Sequence, residues 1–361
     1  MYNLVLSGGG IRGILHLGAI KTLNEKNIFK NIKNYAGSSA GSMISLLLSI
    51  GYTYNDIMII FLKINLDKFY DITDIFEFLN IYGLINLDPC EKLLRILLEN
   101  KFNKKKISFK ELYDLTEKTL HINCINLNSG KEEIFNYINT PNIDIIDACM
   151  ASSSLPFIFP PKLINNNYYI DAFAVNNCPC NIFKDDLENT ICLTINDFPK
   201  NNCEKYKKIE SFQNYIISVF NSFSNYTYDI TMNMYKPKIM INLSYNCSPI
   251  DFDLPKNILS DIFIKGYTIS NEYFINNPID IPEENNISKK TNEKIEVIDN
   301  IFDNVEELLE TISELSENTN EISENTNEIS ENTNEISENT NEISENTNEI
   351  SENTNEISDN I

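Results

Sequence analysis

Gly37-Ser38-Ser39-Ala40-Gly41 lies between a strand-like stretch, residues 32–36, and an unbroken apolar run, residues 42–49. The G-x-S-x-G spacing predicts a sharp strand-to-helix turn with Ser39 exposed at its apex. A serine on so tight a turn has strained backbone angles and no room for neighbouring side chains, which is why both flanking positions are glycine. The pentapeptide therefore predicts an α/β arrangement with a nucleophile at the end of a strand. Its meaning depends on what else the chain can bring to that serine.

Upstream, Leu4-Val5-Leu6 reads as an apolar strand, followed by Ser7-Gly8-Gly9-Gly10-Ile11-Arg12-Gly13 and a helical stretch over residues 14–24. A glycine run that opens a helix leaves backbone N–H groups free to stabilise negative charge, with the positive end of the helix dipole behind them. Gly8, Gly10 and Gly13 also match G-x-G-x-x-G, but a dinucleotide site calls for an acidic residue at the end of the second strand. Tyr35-Ala36-Gly37-Ser38-Ser39 occupies that place and has no carboxylate. An oxyanion hole beside the serine is the better reading, because two glycine loops from adjacent strand–helix junctions converge at one sheet edge. Arg12 has three readings: a brace for the loop, an attractor for an anionic head group, or a solvated surface residue.

A base is harder to find. His16 falls in the first turn of the apolar helix and reads as packed or capping, while His121 reads as a strand residue with no motif around it. Neither follows an acid late in the chain as the histidine of a Ser…Asp…His hydrolase does. The stretch Asn167-Tyr168-Tyr169-Ile170-Asp171-Ala172-Phe173-Ala174-Val175-Asn176-Asn177 has one carboxylate, Asp171. An aspartate held against a serine hydroxyl can take its proton directly, so Asp171 is the candidate base of a two-residue dyad.

These residues resemble the motifs of the patatin-like acyl hydrolases: a G-G-G-x-R/K-G loop at Gly8 to Gly13, the elbow at Gly37 to Gly41, and a D-G-G/A motif at Asp171-Ala172-Phe173. Asp147-Ala148-Cys149-Met150-Ala151-Ser152-Ser153-Ser154-Leu155-Pro156, with Phe159-Pro160-Pro161, is similar to the block that precedes the family's aspartate, and Val175-Asn176-Asn177 to the block after that aspartate. The likeness spans residues 1–200 in the family's motif order. It implies a three-layer α/β/α domain with a mainly parallel central sheet. It also implies calcium-independent hydrolysis of phospholipid or acylglycerol esters by a Ser39–Asp171 dyad. The expected oxyanion donors are among Gly8, Gly9, Gly10, Ile11, Arg12 and Gly13, with no metal and no cofactor. One departure stands out: Ala172 and Phe173 replace glycine positions, and alanine does not adopt positive φ as glycine does. A strained aspartate loop with low activity is the expectation if the motif needs that conformation. The competing reading is a lipid-binding or scaffold protein that has lost the chemistry.

The chain's 361 residues allow two domains: residues 1–282, long enough for a large core, and residues 283–361, with Pro278 and Pro282 at the boundary. Strand and helix signals alternate over residues 1–65 and 107–200. Residues 54–100 are helical in pattern and read as core, with an acyl-chain cover as the alternative. The eight cysteines show no regular spacing beyond Cys178-x-Cys180 and no partner histidine pair, so free thiols in a reducing, cytoplasmic setting are expected. No apolar run is long enough to cross a bilayer, and no leader is read at the N-terminus. A transient membrane contact, where the lipid ester lies, is the expected partner.

Residues 283–361 hold 23 acidic and 3 basic residues, which leaves −3 of the total charge of −23 for residues 1–282. That excess argues against nucleic-acid binding. Ile298, Ile301, Val305, Leu308, Ile312 and Leu315 step by three and four into a seven-residue repeat, seen as Glu321-Ile322-Ser323-Glu324-Asn325-Thr326-Asn327. Residues 298–361 thus read either as a coiled coil, an Ile-x-x-Asn-Thr trimer, or as a disordered acidic tail.

Overall fold

The computed structural model describes residues 1–64, 75–195, 209 and 211–278. The boundary at Pro282 and the acidic repeat lie outside the described residues.

The first half of the domain alternates strands and helices: β1 (Tyr2–Leu6), α1 (Ile14–Glu25), β2 (Ile32–Gly37) and α2 (Ala40–Ser49). Four more helices come next, α3 (Tyr54–Lys63), α4 (Ile75–Ile81), α5 (Asp88–Phe102) and α6 (Phe109–Thr116). Their ends are written in the sequence. Thr53 with Asp56 and Ser108 with Glu111 form reciprocal capping boxes at the starts of α3 and α6, and left-handed Asn103 and Glu117 stop α5 and α6. The second half holds β3 (Thr119–Asn126), β4 (Lys131–Phe135), α7 (Ile145–Ser153), β5 (Lys162–Ile164), β6 (Asn167–Ile170), the short α8 (Phe173–Asn176), β7 (Thr190–Ile195), α9 (Phe212–Met234), β8 (Ile239–Leu243) and α10 (Lys256–Asn276).

The eight strands of the described residues join one mixed sheet. Its centre is parallel, β3-β2-β1-β7-β8, while β4 and β6 pair antiparallel to β3 and β5 antiparallel to β6. Every residue of β7 is buried, as are the last four of β1, so helices cover both faces there. Near-continuous apolar runs such as Leu4-Val5-Leu6 and Ile191-Cys192-Leu193 are what a strand covered on both faces requires. Each fully buried Leu or Ile contributes about 1.5–3 kcal/mol. On the flank, α1 and α10 cross with almost no gap: a Cβ on Gly18 would lie 2.1 Å from the Phe263 carbonyl oxygen, and one on Gly266 2.1 Å from that of Leu15.

Within residues 54–100, the described segments 54–64 and 75–100 pack as core. Ile57, Ile60, Leu94, Leu97 and Leu98 are buried, and Gly83 bridges to Phe157. Arg95 of α5 pairs with Glu91, Asp144 and Asp147 at 2.7, 3.3 and 3.0 Å, and Lys162 joins Glu91 and Asp147 at 2.6 and 3.1 Å. This cluster of ion pairs ties α5 to α7 and β5.

One feature of the sheet decides where the site forms. Ile122 pairs with Gly37 of β2 on one side and Phe135 of β4 on the other, and Ile125 pairs with Ile170 of β6 and Glu132 of β4. So β2 and β6 share one edge of β3 and approach each other end to end. β2 runs parallel to β3 and stops at Ile122; β6 runs antiparallel and stops at Ile125. The chain leaves both strands at the same place, once as Ser38-Ser39 and once as Asp171.

Candidate active site

Ser39 has φ 52° and ψ −129° and caps α2. Positive φ is rare for a residue with a side chain and costs of order 1–3 kcal/mol, so the surroundings must enforce it. They do so with backbone. A Cβ on Gly37 would lie 2.4 Å from the Gly41 carbonyl oxygen, and one on Gly41 2.3 Å from that of Leu6. The Ser39 N–H donates to Ser152 Oγ of α7 at 2.9 Å, and Ser42 Oγ donates to the Ser39 carbonyl at 2.6 Å.

The Ser39 side chain faces the Asp171 carboxylate and favours its ionised form, and the carboxylate accepts the Phe173 N–H at 2.8 Å. The Asp171 N–H donates to the Ser154 carbonyl at 3.0 Å. Asp171 is 4% exposed, and this burial pushes its pKa up to about 7, against the opposite pull of the Ser39 side chain and the Phe173 N–H. The expected strain at Ala172 is absent: it sits at φ −80° and ψ 4°, capping α8, a conformation open to any residue. Alanine fits there because the turn continues into a right-handed helix, and Asp171 reaches Ser39 unhindered.

The glycine loop folds against this pair. A Cβ on Gly8 would lie 3.0 Å from Ser39 Cβ and 2.4 Å from Asn177 Oδ1. Gly10 is at φ +58°, and a Cβ there would strike the Pro249 carbonyl oxygen at 1.8 Å. The loop N–H groups do not all point outward. Those of Gly8, Ile11 and Arg12 donate to Asn177, Pro249 and Gly9 carbonyls at 3.1, 2.9 and 3.2 Å, and Gly13 lies inside the 3-10 turn Gly10–Gly13. Among the described residues no acceptor meets the N–H of Gly9 or Gly10. Arg12 is 3% exposed and its Nε donates to the Gly9 carbonyl at 3.4 Å, so it braces the loop.

Both histidines are structural. His16 is fully buried, with Nε2 2.9 Å from the Ser7 carbonyl, and burial lowers its pKa to about 4. Its hydrogen bond steadies the start of the glycine loop. His121 is likewise pushed down to about 4 and packs edge-on against Phe183. Sequence reasoning missed the roles of Ser152, Asn177 and Pro249. Of these, Ser152 and Asn177 lie within blocks the family resemblance had marked, while Pro249 carried no signal.

The sequence model of the patatin-like phospholipase family matches residues 4–184. The chain belongs to this family. It is similar to the probable lipid hydrolase 463L of Invertebrate iridescent virus 6, 40% identical over 185 residues, which are 50% of this chain and 62% of that one. It is also similar to protein R571 of Acanthamoeba polyphaga mimivirus, 31% identical over 70% of this chain and 86% of the other. In fold it is similar to VipD from Legionella pneumophila, with a TM-score of 0.53 at 16% identity over 76% of this chain and 67% of that one. Among the described residues no helix of this patatin-like chain is long and apolar enough to cross a membrane.

Proposed function

We propose that the protein is a serine acyl hydrolase acting on lipid esters, phospholipid or acylglycerol, without calcium. The observation that carries this reading is the Ser39 side chain set against a buried Asp171, with the Gly9 and Gly10 N–H groups of the adjoining loop meeting no acceptor among the described residues. Family membership and the similarity to a probable lipid hydrolase support it.

In the proposed reaction Ser39 Oγ attacks the ester carbonyl carbon while its proton passes to Asp171. The Gly9 and Gly10 N–H groups, ahead of α1, receive the negative charge on the carbonyl oxygen. Collapse of the tetrahedral intermediate breaks the ester bond, and the departing alcohol takes the proton from Asp171. Asp171 then accepts a proton from water, whose oxygen attacks the acyl-Ser39 ester; as the acyl–oxygen bond breaks and the fatty acid leaves, Asp171 returns that proton to Ser39 Oγ. A pKa near 7 suits a group that must both accept and return a proton near neutrality. The substrate lies in a lipid surface, so contact with that surface is transient and accompanies turnover.

Labelling by a fluorophosphonate, together with release of fatty acid from vesicles or emulsified acylglycerol in excess chelator, tests the proposal. Wild type should label and hydrolyse, and Ser39→Ala should do neither. Hydrolysis that persists in Ser39→Ala, or that stops when calcium is chelated, would overturn it.

A further inference from the structure

Cysteine commonly behaves as a small buried hydrophobe, and one buried thiol means nothing more. Cys178, Cys180 and Cys192 are different in being brought together from two separate places, a turn and a strand. Their Sγ atoms all lie within 4.8 Å of one another, 3.9 Å between Cys178 and Cys180 and 2.9 Å between Cys178 and Cys192. Cys192 sits mid-way along β7, in register with Val5 of β1 and Met240 of β8, and Ala36 continues the row on β2. Cys178 and Cys180 come from the turn after α8 and close over that row, beneath Met232 and Tyr228 of α9. All three thiols are at most 2% exposed.

From this geometry we propose that Cys178, Cys180 and Cys192 form a three-thiolate site for Cu(I), separate from the Ser39–Asp171 pair. Three sulfurs about 2.3 Å from a common centre in one plane stand about 4 Å apart. The Cys178–Cys180 separation already has that value, and the Cys178 side chain has to swing away from Cys192 by about 1 Å to complete the triangle. No imidazole or carboxylate of the described residues joins the set. Structural zinc takes four such ligands, whereas Cu(I) is selected by soft thiolates and thioethers. Met232 is the soft neighbour within the same packed cluster.

Binding forms copper–sulfur bonds and releases thiol protons to solvent, and no electron moves. Cys178 also comes directly after Asn177, whose carbonyl holds the Gly8 N–H, so a filled site anchors the turn that faces the glycine loop.

The test supplies Cu(I) anaerobically as its glutathione complex to the full chain, then challenges it with a colorimetric Cu(I) chelator. Uptake is expected to be slow because the sulfurs are shut off from water. Wild type and Cys90→Ser should each retain one copper per chain, and Cys180→Ser and Cys192→Ser should bind on the order of 100-fold more weakly or worse. Copper-edge X-ray absorption on loaded wild type should show three sulfur neighbours, a readout that does not depend on how well the variants fold. Wild type that retains no copper, retention unchanged in Cys180→Ser, or a copper shell dominated by nitrogen or oxygen would each overturn the proposal. Lipid hydrolysis by the copper-free chain is expected throughout, so the two proposals fail separately.

Discussion

The turn that carries Ser39 and the turn that carries Asp171 meet over β3, yet they hold their residues by different means. The serine turn is strained in its backbone: φ is 52° at Ser39, and Gly37 and Gly41 are so close to carbonyl oxygens that no side chain fits. The aspartate turn is relaxed, with Ala172 at φ −80°, and its cost is electrostatic, a carboxyl group shut away from water. One side stores its energy in geometry and the other in desolvation. That difference explains why the first motif keeps both glycines while the second carries Ala172 and Phe173 in their place.

The largest effect should come from removing either partner. Ser39→Ala and Asp171→Asn are each expected to lower kcat/KM by about 10³-fold or more, with thermal unfolding still cooperative in both. Residual activity within tenfold of wild type in Asp171→Asn would show that the serine does not need this carboxylate.

Next in size is damage to the strained side. Gly41→Ala places a methyl group against the Leu6 and Ser7 carbonyl oxygens, at 2.3 and 2.5 Å. It should destabilise the fold by about 3 kcal/mol or more, measured by urea unfolding, unless the variant is recovered only as aggregate.

The electrostatic side should show itself through pH. Asp171 has a folded pKa of about 7, above its ordinary 3.8. The folded state therefore favours the protonated form, and the stability this provides is full below about pH 4 and lost as pH rises through 7. Asp171→Asn removes the ionisable group. It should leave stability nearly unchanged below pH 4 and stabilise the protein by about 2–4 kcal/mol at pH 8. Activity has the opposite requirement, an ionised Asp171, so kcat/KM of wild type should rise with pH through a midpoint near 7. An acid limb centred near pH 4 would place the base in a solvated environment and break the comparison.

The smallest effect is the most discriminating. Ala172→Gly should change activity less than twofold and cost about 0.5–1 kcal/mol of stability, because glycine gains nothing at negative φ and loses more chain entropy on folding. A large rise in activity would mean that alanine does strain the aspartate turn.

Much of this site was legible locally. Ser39, Gly37, Gly41, Asp171 and the Gly8–Gly13 loop each announce themselves through a turn that needs glycine or through a lone carboxylate among apolar strand residues. The partners that arrive from a distance could not be read. Ser152 meets the Ser39 N–H from 113 positions away, and Pro249 occupies the Ile11 N–H from a loop with no motif. Cys192 looks like any core residue of Thr190-Ile191-Cys192-Leu193, and only the register with Val5 sets it under Cys178 and Cys180. The parallel centre of the sheet was expected from the alternation of strand and helix signals and from the family resemblance. The antiparallel β4, β5 and β6 were not, because the pairing of short, half-polar strands is decided by their neighbours.

The end-to-end meeting of β2 and β6 also sets a clock. β2 lies near the start of the chain, but its partner at the site is not made until β3 to β6 have been laid down. The Ser39–Ser152 and Gly8–Asn177 contacts close loops of 113 and 169 positions. Contacts of such long sequence separation form late, since the entropy of closing each loop must be overcome before the contact returns anything. An emerging or half-folded chain therefore carries a serine with neither its base nor its oxyanion loop in place. Hydrolytic competence arrives only with the completed sheet, so turnover reports on whether the whole domain has folded.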